Sequence, residues 1–444
     1  MVGPPETRPP SQSILRVLGT HPVGLLLGGR LASGVGDGLF ELAMYWIVYT
    51  ATNSRAAVGV LGAVGGLGYL ASLATGVFAD RLNAKRTLIV TDLVRAALVC
   101  ILLVWLHLTH ARAPLALWLV SVFVLTLMGS LFRTARSVLW VHEVPDAVRR
   151  EANGLMQSTS ALAQLGGMGL AGTLLAYVGA VSALGADAIA FALSGLSLFF
   201  LRTRSFRKTI REVGTPHETG TLPGAARLGS GQETSAPSWL RSFREGQETV
   251  WGSPILRRSM ALAVVLNFGG TTLEVLLAAW VKGVLHAPST VYGLMGAFTL
   301  VGVLVSGLLF ARFLTRWGLR ACLLGSVLLM GAALVLFSRV PSVPADVACL
   351  GLFGAGSGLA SACLTSTTQS IVPKSNMGRV GGTLQALSAA ANPVGAALAG
   401  SVLAGVPLGD VFLGAGFLML LAPLTWIGVG PLAVEHAADA TVPG

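Results

Sequence analysis

The strongest constraint on this 444-residue chain is an apolar stretch of about twenty residues that recurs twelve times. The stretches fall near 23–49, 56–79, 87–109, 114–135, 154–178, 181–201, 258–281, 290–313, 319–338, 345–367, 381–404 and 409–431. A helix needs roughly 20 apolar residues to cross the hydrocarbon core of a bilayer. Within that core every backbone N–H and C=O must be bonded inside its own segment, so stretches of this kind are helices. Composition agrees, with 53% hydrophobic and only 11% charged residues against about 25% charged in soluble domains. The expected fold class is an all-α membrane protein with twelve transmembrane helices.

The formal net charge of +11 raises the question of nucleic acid. The basic residues lie between the apolar runs rather than in a stripe with interleaved aromatics, so no nucleic-acid partner is expected. Topology explains them better, because Lys and Arg accumulate in cytoplasmic loops. Counted with the N-terminus inside, one face holds 24 Lys and Arg, while the other holds four: Arg55, Arg112, Lys282 and Arg339. Both termini and the central loop are therefore expected in the cytoplasm and the chain in the inner membrane. Met1 to Gln12 is Pro-rich and polar, without the pattern of a signal peptide. Cys100, Cys322, Cys349 and Cys363 lie inside apolar segments without metal-ligand spacing, so packing thiols are expected and no metal or cofactor.

Residues 202–257 form a polar interruption between two hydrophobic halves, 1–201 and 258–444. Its Gly, Pro, Ser and Thr content cannot build a core. Its last part, "SWLRSFREGQETVWGSP", carries Trp239, Phe243 and Val250 at roughly helical spacing, which fits an amphipathic helix on the membrane surface. The halves repeat. An offset of 228 takes Pro145 to Pro373, Gln157 to Gln385, Ser160 to Ser388, Gly167 to Gly395 and Gly172 to Gly400. An offset of 231 takes Gly76 to Gly307, Arg81 to Arg312 and Lys85 to Arg316. Two pseudo-symmetric six-helix bundles in parallel orientation follow the repeat logic of transporters.

The loop after the second stretch, "GVFADRLNAKRTL", resembles the loop signature of the major facilitator superfamily. Gly76, Asp80, Arg81, Lys85 and Arg86 match it, with Asn83-Ala84 where Gly-Arg-like residues often occur. "GDGLFELAMYWIVY", "EVPDAVRREANGL", "GADAIAFALSGLSL" and "REGQETVWGSPILRR" resemble the branch of macrolide-type and enterobactin-type exporters. The resemblance covers nearly the whole chain and implies two bundles rocking about a central cavity, with secondary active export. It also implies that Asp80 latches the bundles through a charge relay to a neighbouring helix end; a solvated turn that merely fixes topology is the other reading. The fifth stretch lacks the antiporter proline, reading Gly167-Met168-Gly169-Leu170-Ala171-Gly172. In the fourth, Arg133 and Arg136 fall at the cytoplasmic end instead of mid-membrane.

Buried acids carry the sharpest chemical signal, because a charge at mid-bilayer costs about 2.5–3.5 kcal/mol on insertion scales and marks a pathway or relay. Asp37 and Glu41 share a helix face at i, i+4, with Arg30 two turns earlier. Glu274 coincides with Glu41 under an offset of 233. In the resembling fold the helices that carry these two face each other across the cavity, where two acids resist simultaneous ionisation, as a proton carrier requires. Arg30, Asp37, Glu41 and Glu274 are thus the proton-coupling candidates. Two bland readings stay open: Asp37 pairs with Arg30 as a structural bridge, and Glu41 and Glu274 reach external water. Asp187 reads as structural, and Asp92 with Arg95 as an interfacial pair. Phe40, Met44, Gln157, Asn267 and Phe268, with Tyr45, Trp46 and Trp280, are candidate cavity liners. Apolar, aromatic and Met surfaces suit bulky amphipathic substrates.

No HExxH, P-loop or GxSxG motif occurs, so the chain is not expected to be an enzyme. The expected activity is proton-coupled export of hydrophobic, drug-like small molecules by a monomer. A selective exporter of a native metabolite or siderophore, and a non-transporting sensor on the same fold, are the alternatives.

Overall fold

The computed structural model describes residues 21–79, 83–109, 114–144, 149–200, 239–373 and 376–427. Six helices make the first bundle: α1 His21–Thr52, α2 Arg55–Ala79, α3 Ala84–Leu108, α4 Leu115–Glu143, α5 Arg149–Tyr177 and α6 Ala180–Phe199. A short α7, Trp239–Gly252, precedes the second bundle. That bundle contains α8 Pro254–Gly283, α9 Ser289–Arg339, α10 Val343–Ile371, α11 Met377–Ala389, α12 Ala391–Ala397 and α13 Leu408–Leu421. α9 is two crossings in one element of 51 residues, broken where Gly318 takes φ 74°. Only glycine enters that left-handed region without strain, so the chain turns there without a loop. Asn392-Pro393 opens α12, where proline has no N–H to give the preceding turn, and a π turn at Leu398–Val402 completes this crossing. With α13 and the 3-10 turn Ala422–Trp426, the path makes the twelve crossings expected.

Among the described residues, seven helices are long and apolar enough to cross a membrane on length and composition alone. α1 is not one of them, because Arg30, Asp37 and Glu41 interrupt its apolar run; α5 is diluted by Gln157, Ser158 and Gln164. These are the helices that face the centre of the molecule. The lipid side shows the reverse pattern: Leu93, Ile101, Val104, Ile189, Leu193 and Leu308 are exposed. Such a belt suits hydrocarbon as its solvent.

Packing inside each bundle is tight. α1 packs on α5 and α6, α3 on α4 and α6, and α2 on α4. In the second bundle Trp280, Phe337 and Phe412 form a buried aromatic triad with ring centroids 5.0–5.5 Å apart, inside the favourable range for such pairs. Trp280 also donates Nε1–H to Asp346 Oδ2 at 2.7 Å. It anchors the core and does not line the cavity, contrary to the expectation from sequence.

The bundles meet at two glycine crossings. Gly59 of α2 faces Gly400 beyond α12, and Gly172 of α5 faces Gly293 of α9. A Cβ on Gly172 would come 2.8 Å from the Gly293 Cα, closer than real Cβ atoms approach. An offset of 228 takes Gly172 to Gly400, and one of 234 takes Gly59 to Gly293, so the two crossings are copies of one contact. Ser289 Oγ donates to Gly172 O at 3.1 Å beside one crossing. Arg55 Nη1 donates to Val406 O at 2.7 Å beside the other. These contacts close one end of the molecule. The opposite, basic end carries Lys85, Arg86 and Arg379, and the cavity runs towards it.

α7 lies at the basic end, docked on the second bundle. Val250 is fully buried with Leu256, Val372 and Val380, and Arg379 Nη1 donates to Glu245 Oε2 at 2.7 Å. Val250 is therefore covered by protein and not offered to a membrane surface; the side chains of Trp239 and Phe243 lie outside the described residues. Of the loop motif, Asp80 and Arg81 also lie outside them, and Gly76 falls in the last turn of α2. Asn83 caps α3 by accepting from the Arg86 N–H at 3.2 Å, and Lys85 Nζ donates to Phe199 O at 3.3 Å. An N-cap needs a side-chain acceptor such as Asn.

Candidate functional site

A cavity of two joined chambers lies between the bundles. The larger, about 830 Å³, is walled mostly by α8, α9, α10 and α11. The smaller, about 520 Å³, is walled mostly by α1, α2 and α4. Glu41, Tyr45, Gln164, Thr271, Glu274 and Asn392 belong to both and form the boundary between them.

Glu41 and Glu274 come together at this boundary, one from each bundle, close enough for their charges to interact. Glu41 Oε2 accepts from Gln164 Nε2 at 3.1 Å, and the Tyr45 hydroxyl lies beside Glu274. Gly38 allows this approach: α1 meets α5 there so closely that a Cβ would lie 2.6 Å from Gln164 O. Both carboxylates border open cavity, and Glu274 is exposed to it. Neither is paired with a cation among the described residues. Gln164 was not among the sequence candidates, although a glutamine in an apolar helix two turns from Gln157 on the same face was a signal for it.

One turn away on α1, Asp37 belongs to another network. Arg30 Nη1 reaches its Oδ2 at 3.1 Å, and Arg95 of α3 reaches its Oδ1. Arg30 Nε also donates to Ser160 Oγ at 2.8 Å. Arg95 Nη1 contacts Asp92 at 3.4 Å and Ser33 at 3.3 Å, and its guanidinium lies 3.8 Å from the centre of the Phe191 ring. Asp92 and Arg95 are thus buried inside the first bundle and are not the interfacial pair expected. Asp187 is fully buried beside this network, and neither of its oxygens has a hydrogen-bond partner among the described residues. The bridge between Arg30 and Asp37 is present, with Arg95 as a second arm that sequence spacing could not reveal.

Phe40 and Met44 line the smaller chamber and Asn267 the larger. Phe268 does not line either; it packs against Gly395 of α12, where the missing side chain leaves room for the ring. Gln157 is exposed nearer the basic end, beyond both linings. Trp46 stacks on Tyr292 with centroids 5.5 Å apart. α4 runs to Glu143, eight residues past the boundary read from sequence. Arg133 consequently stands well inside the helix and lines the smaller chamber. No group of His, Cys, Asp and Glu suited to a metal ion occurs among the described residues.

Two joined six-helix bundles around a central cavity define a secondary-transporter fold. The family model of the Major Facilitator Superfamily matches residues 26–272 and 259–441. The chain therefore belongs to that superfamily, whose members are membrane transporters and not enzymes. Among curated proteins it is 26% identical over 421 residues to the multidrug efflux pump Tap of Mycolicibacterium fortuitum, covering 92% of this chain and 94% of the pump. Among solved structures it matches the nucleoside transporter NupG at a TM-score of 0.68 and 12% identity, covering 91% of this chain and all of the other. A bacterial homologue of the iron transporter ferroportin, in an inward-facing state, matches at 0.67 and 17%, covering 93% and 99%. These structural matches concern the fold.

Proposed function

We propose that this transporter exports hydrophobic or amphipathic, drug-like small molecules in exchange for protons. The observation that carries the reading is the meeting of Glu41 and Glu274, unpaired by cations, at the boundary between the bundles. The likeness to Tap, a multidrug efflux pump, supports the direction and the substrate class. The count of 24 basic residues against four supports a cytoplasmic basic end, with both termini and segment 202–257 inside the cell and the bundles at 1–201 and 258–444. The described conformation is then inward-facing, sealed outside by the two glycine crossings.

In this cycle the substrate enters from the cytoplasm and lies against Phe40, Met44 and Asn267. Its arrival displaces a proton held between Glu41 and Glu274, because two carboxylates at close range in low dielectric share a proton more readily than both ionise. The bundles then rock, the glycine crossings part, and substrate leaves outward. A proton from the external side reoccupies the pair and removes the charge, so the empty carrier returns. Asp37, held by Arg30 and Arg95, fixes the face of α1 that presents Glu41. The loop of Gly76, Asp80, Arg81, Lys85 and Arg86 latches the basic end when the outer end opens.

The test is efflux of a lipophilic cationic dye from proteoliposomes under an imposed pH gradient. Wild-type protein should accelerate efflux only with the gradient, and Glu274→Gln and Glu41→Gln should abolish that dependence. Efflux indifferent to the gradient would end the proton-antiport reading; gradient-driven efflux that survives both substitutions would end the site assignment.

A further inference from the structure

The smaller chamber is lined by three arginines and three carboxylates, but they are unevenly paired. Arg30, Arg95 and Arg133 all line it. Asp37 is bonded to the first two, and Glu41 and Glu274 stand at its far boundary. Arg133 has no hydrogen bond or ion pair among the described residues, and it is exposed to the chamber. Arg136, one turn on, leaves its Nη1 buried without a hydrogen-bond partner among the described residues.

Gly129 shows how the free guanidinium is placed. A Cβ built there would lie 3.5 Å from Arg95 Nη2 and 3.7 Å from Arg133 Nη1. Two guanidiniums therefore flank one point on α4, and the absence of a side chain leaves that point open. Thr126, Gly129 and Arg133 share this helix face at i, i+3 and i+7, and Thr126 also lines the chamber. Arg95 already holds Asp37 and Asp92, so at this point Arg133 is the guanidinium with donors left for an added anion, and Arg95 adds its field. The planar fork of arginine matches carboxylate, sulfonate and phosphate oxygens in bidentate geometry.

We infer that the cleft over Gly129, between Arg95 and Arg133, binds the negatively charged group of an amphipathic substrate. The apolar body of that substrate lies against Phe40, Met44 and Leu125, which line the same chamber. The inference rests on the transport reading and deepens it by adding amphipathic anions and zwitterions to the substrates the cavity takes. A zwitterion would span the cavity with its cationic end towards Glu41 and Glu274.

The experiment uses the full-length protein in nanodiscs and three matched radiolabelled probes: 1-naphthaleneacetate, naphthaleneethanol and naphthalenemethylammonium. Wild-type protein should bind the anion about tenfold more tightly than the neutral probe, the size of one charge-assisted hydrogen bond. Arg133→Gln should bring that ratio near one and strengthen binding of the cation, an effect that a merely misfolded variant does not produce. Arg133→Lys keeps the charge without the fork and should give an intermediate ratio. Gly129→Asp places a carboxylate in the cleft and should remove the preference in a second way. The inference is overturned if wild-type protein binds the anion no better than the neutral probe, or if either Arg133→Gln or Gly129→Asp keeps the preference. Because the readout is binding, it is separate from proton coupling: a preserved ratio change beside gradient-independent efflux sinks the antiport reading and leaves the subsite standing.

Discussion

Asp37 and Glu41 are neighbours on one face of α1, yet they occupy different electrostatic worlds. Asp37 is held by two arginines, one on its own helix and one on α3, and all of these contacts lie within the first bundle. Glu41 has a glutamine from α5 and a second carboxylate from the opposite bundle. A carboxylate with two guanidiniums is stabilised as an anion and tied to one bundle. A carboxylate that faces another across a moving boundary has a changeable environment. Position on a helix therefore does not assign a role to a buried acid; the partners do.

The comparison breaks most easily at Arg95. Arg95→Met removes the cation shared by Asp37 and Asp92 and leaves buried charge uncompensated, which costs about 3–5 kcal/mol. Thermal unfolding in detergent should show a large loss, whereas Glu274→Gln should leave stability within about 1 kcal/mol, since Glu274 holds no cation among the described residues and Gln keeps its size and hydrogen-bonding capacity. Equal losses from the two substitutions would erase the distinction between the clusters.

Next in size is the outer seal. Gly59→Leu puts a side chain where Gly400 leaves no space. Overpacking of this kind costs about 1–3 kcal/mol, and one or two kcal/mol shift a two-state ratio about 5- to 30-fold. Spin labels at Asn53 and Gly405, on the sealed end in opposite bundles, should move apart in this variant. An unchanged distance distribution would remove the glycine crossing from the gate. The smallest effect on transport is expected in the second bundle, away from both acid clusters. Trp280→Phe keeps the aromatic triad but leaves Asp346 without its partner, a loss of about 1–3 kcal/mol. Unfolding should register it, while the gradient dependence of efflux should stay as in wild type.

Much of the fold was legible because hydrocarbon imposes a simple rule of length and polarity, which most of the stretches obey and from which α1 and α5 depart where they face the cavity. The repeat was legible too, since Gly172 and Gly400 keep their spacing; that they mark equivalent crossings needed the partners Gly293 and Gly59. The acids themselves announced their cost, so Asp37, Glu41 and Glu274 could be picked from sequence. Their partners could not. Arg95 lies 58 residues from Asp37, and no spacing rule connects α3 to α1. Trp280 and Phe268 were misread for a related reason: an aromatic in a membrane helix looks the same whether it faces cavity or core. Arg133 was misplaced because polar residues near its end made α4 look shorter than its hydrogen bonding makes it.

The central claim, that Glu41 and Glu274 share a proton which substrate displaces, is tested most directly by proton release. Unbuffered, purified full-length protein would be mixed with a saturating lipophilic cation and the pH followed with an indicator. The expected result is release of about one proton per protein on binding, absent in the Glu41→Gln, Glu274→Gln double variant although that variant still folds. Binding without proton release in wild-type protein, or equal release in the double variant, would contradict it.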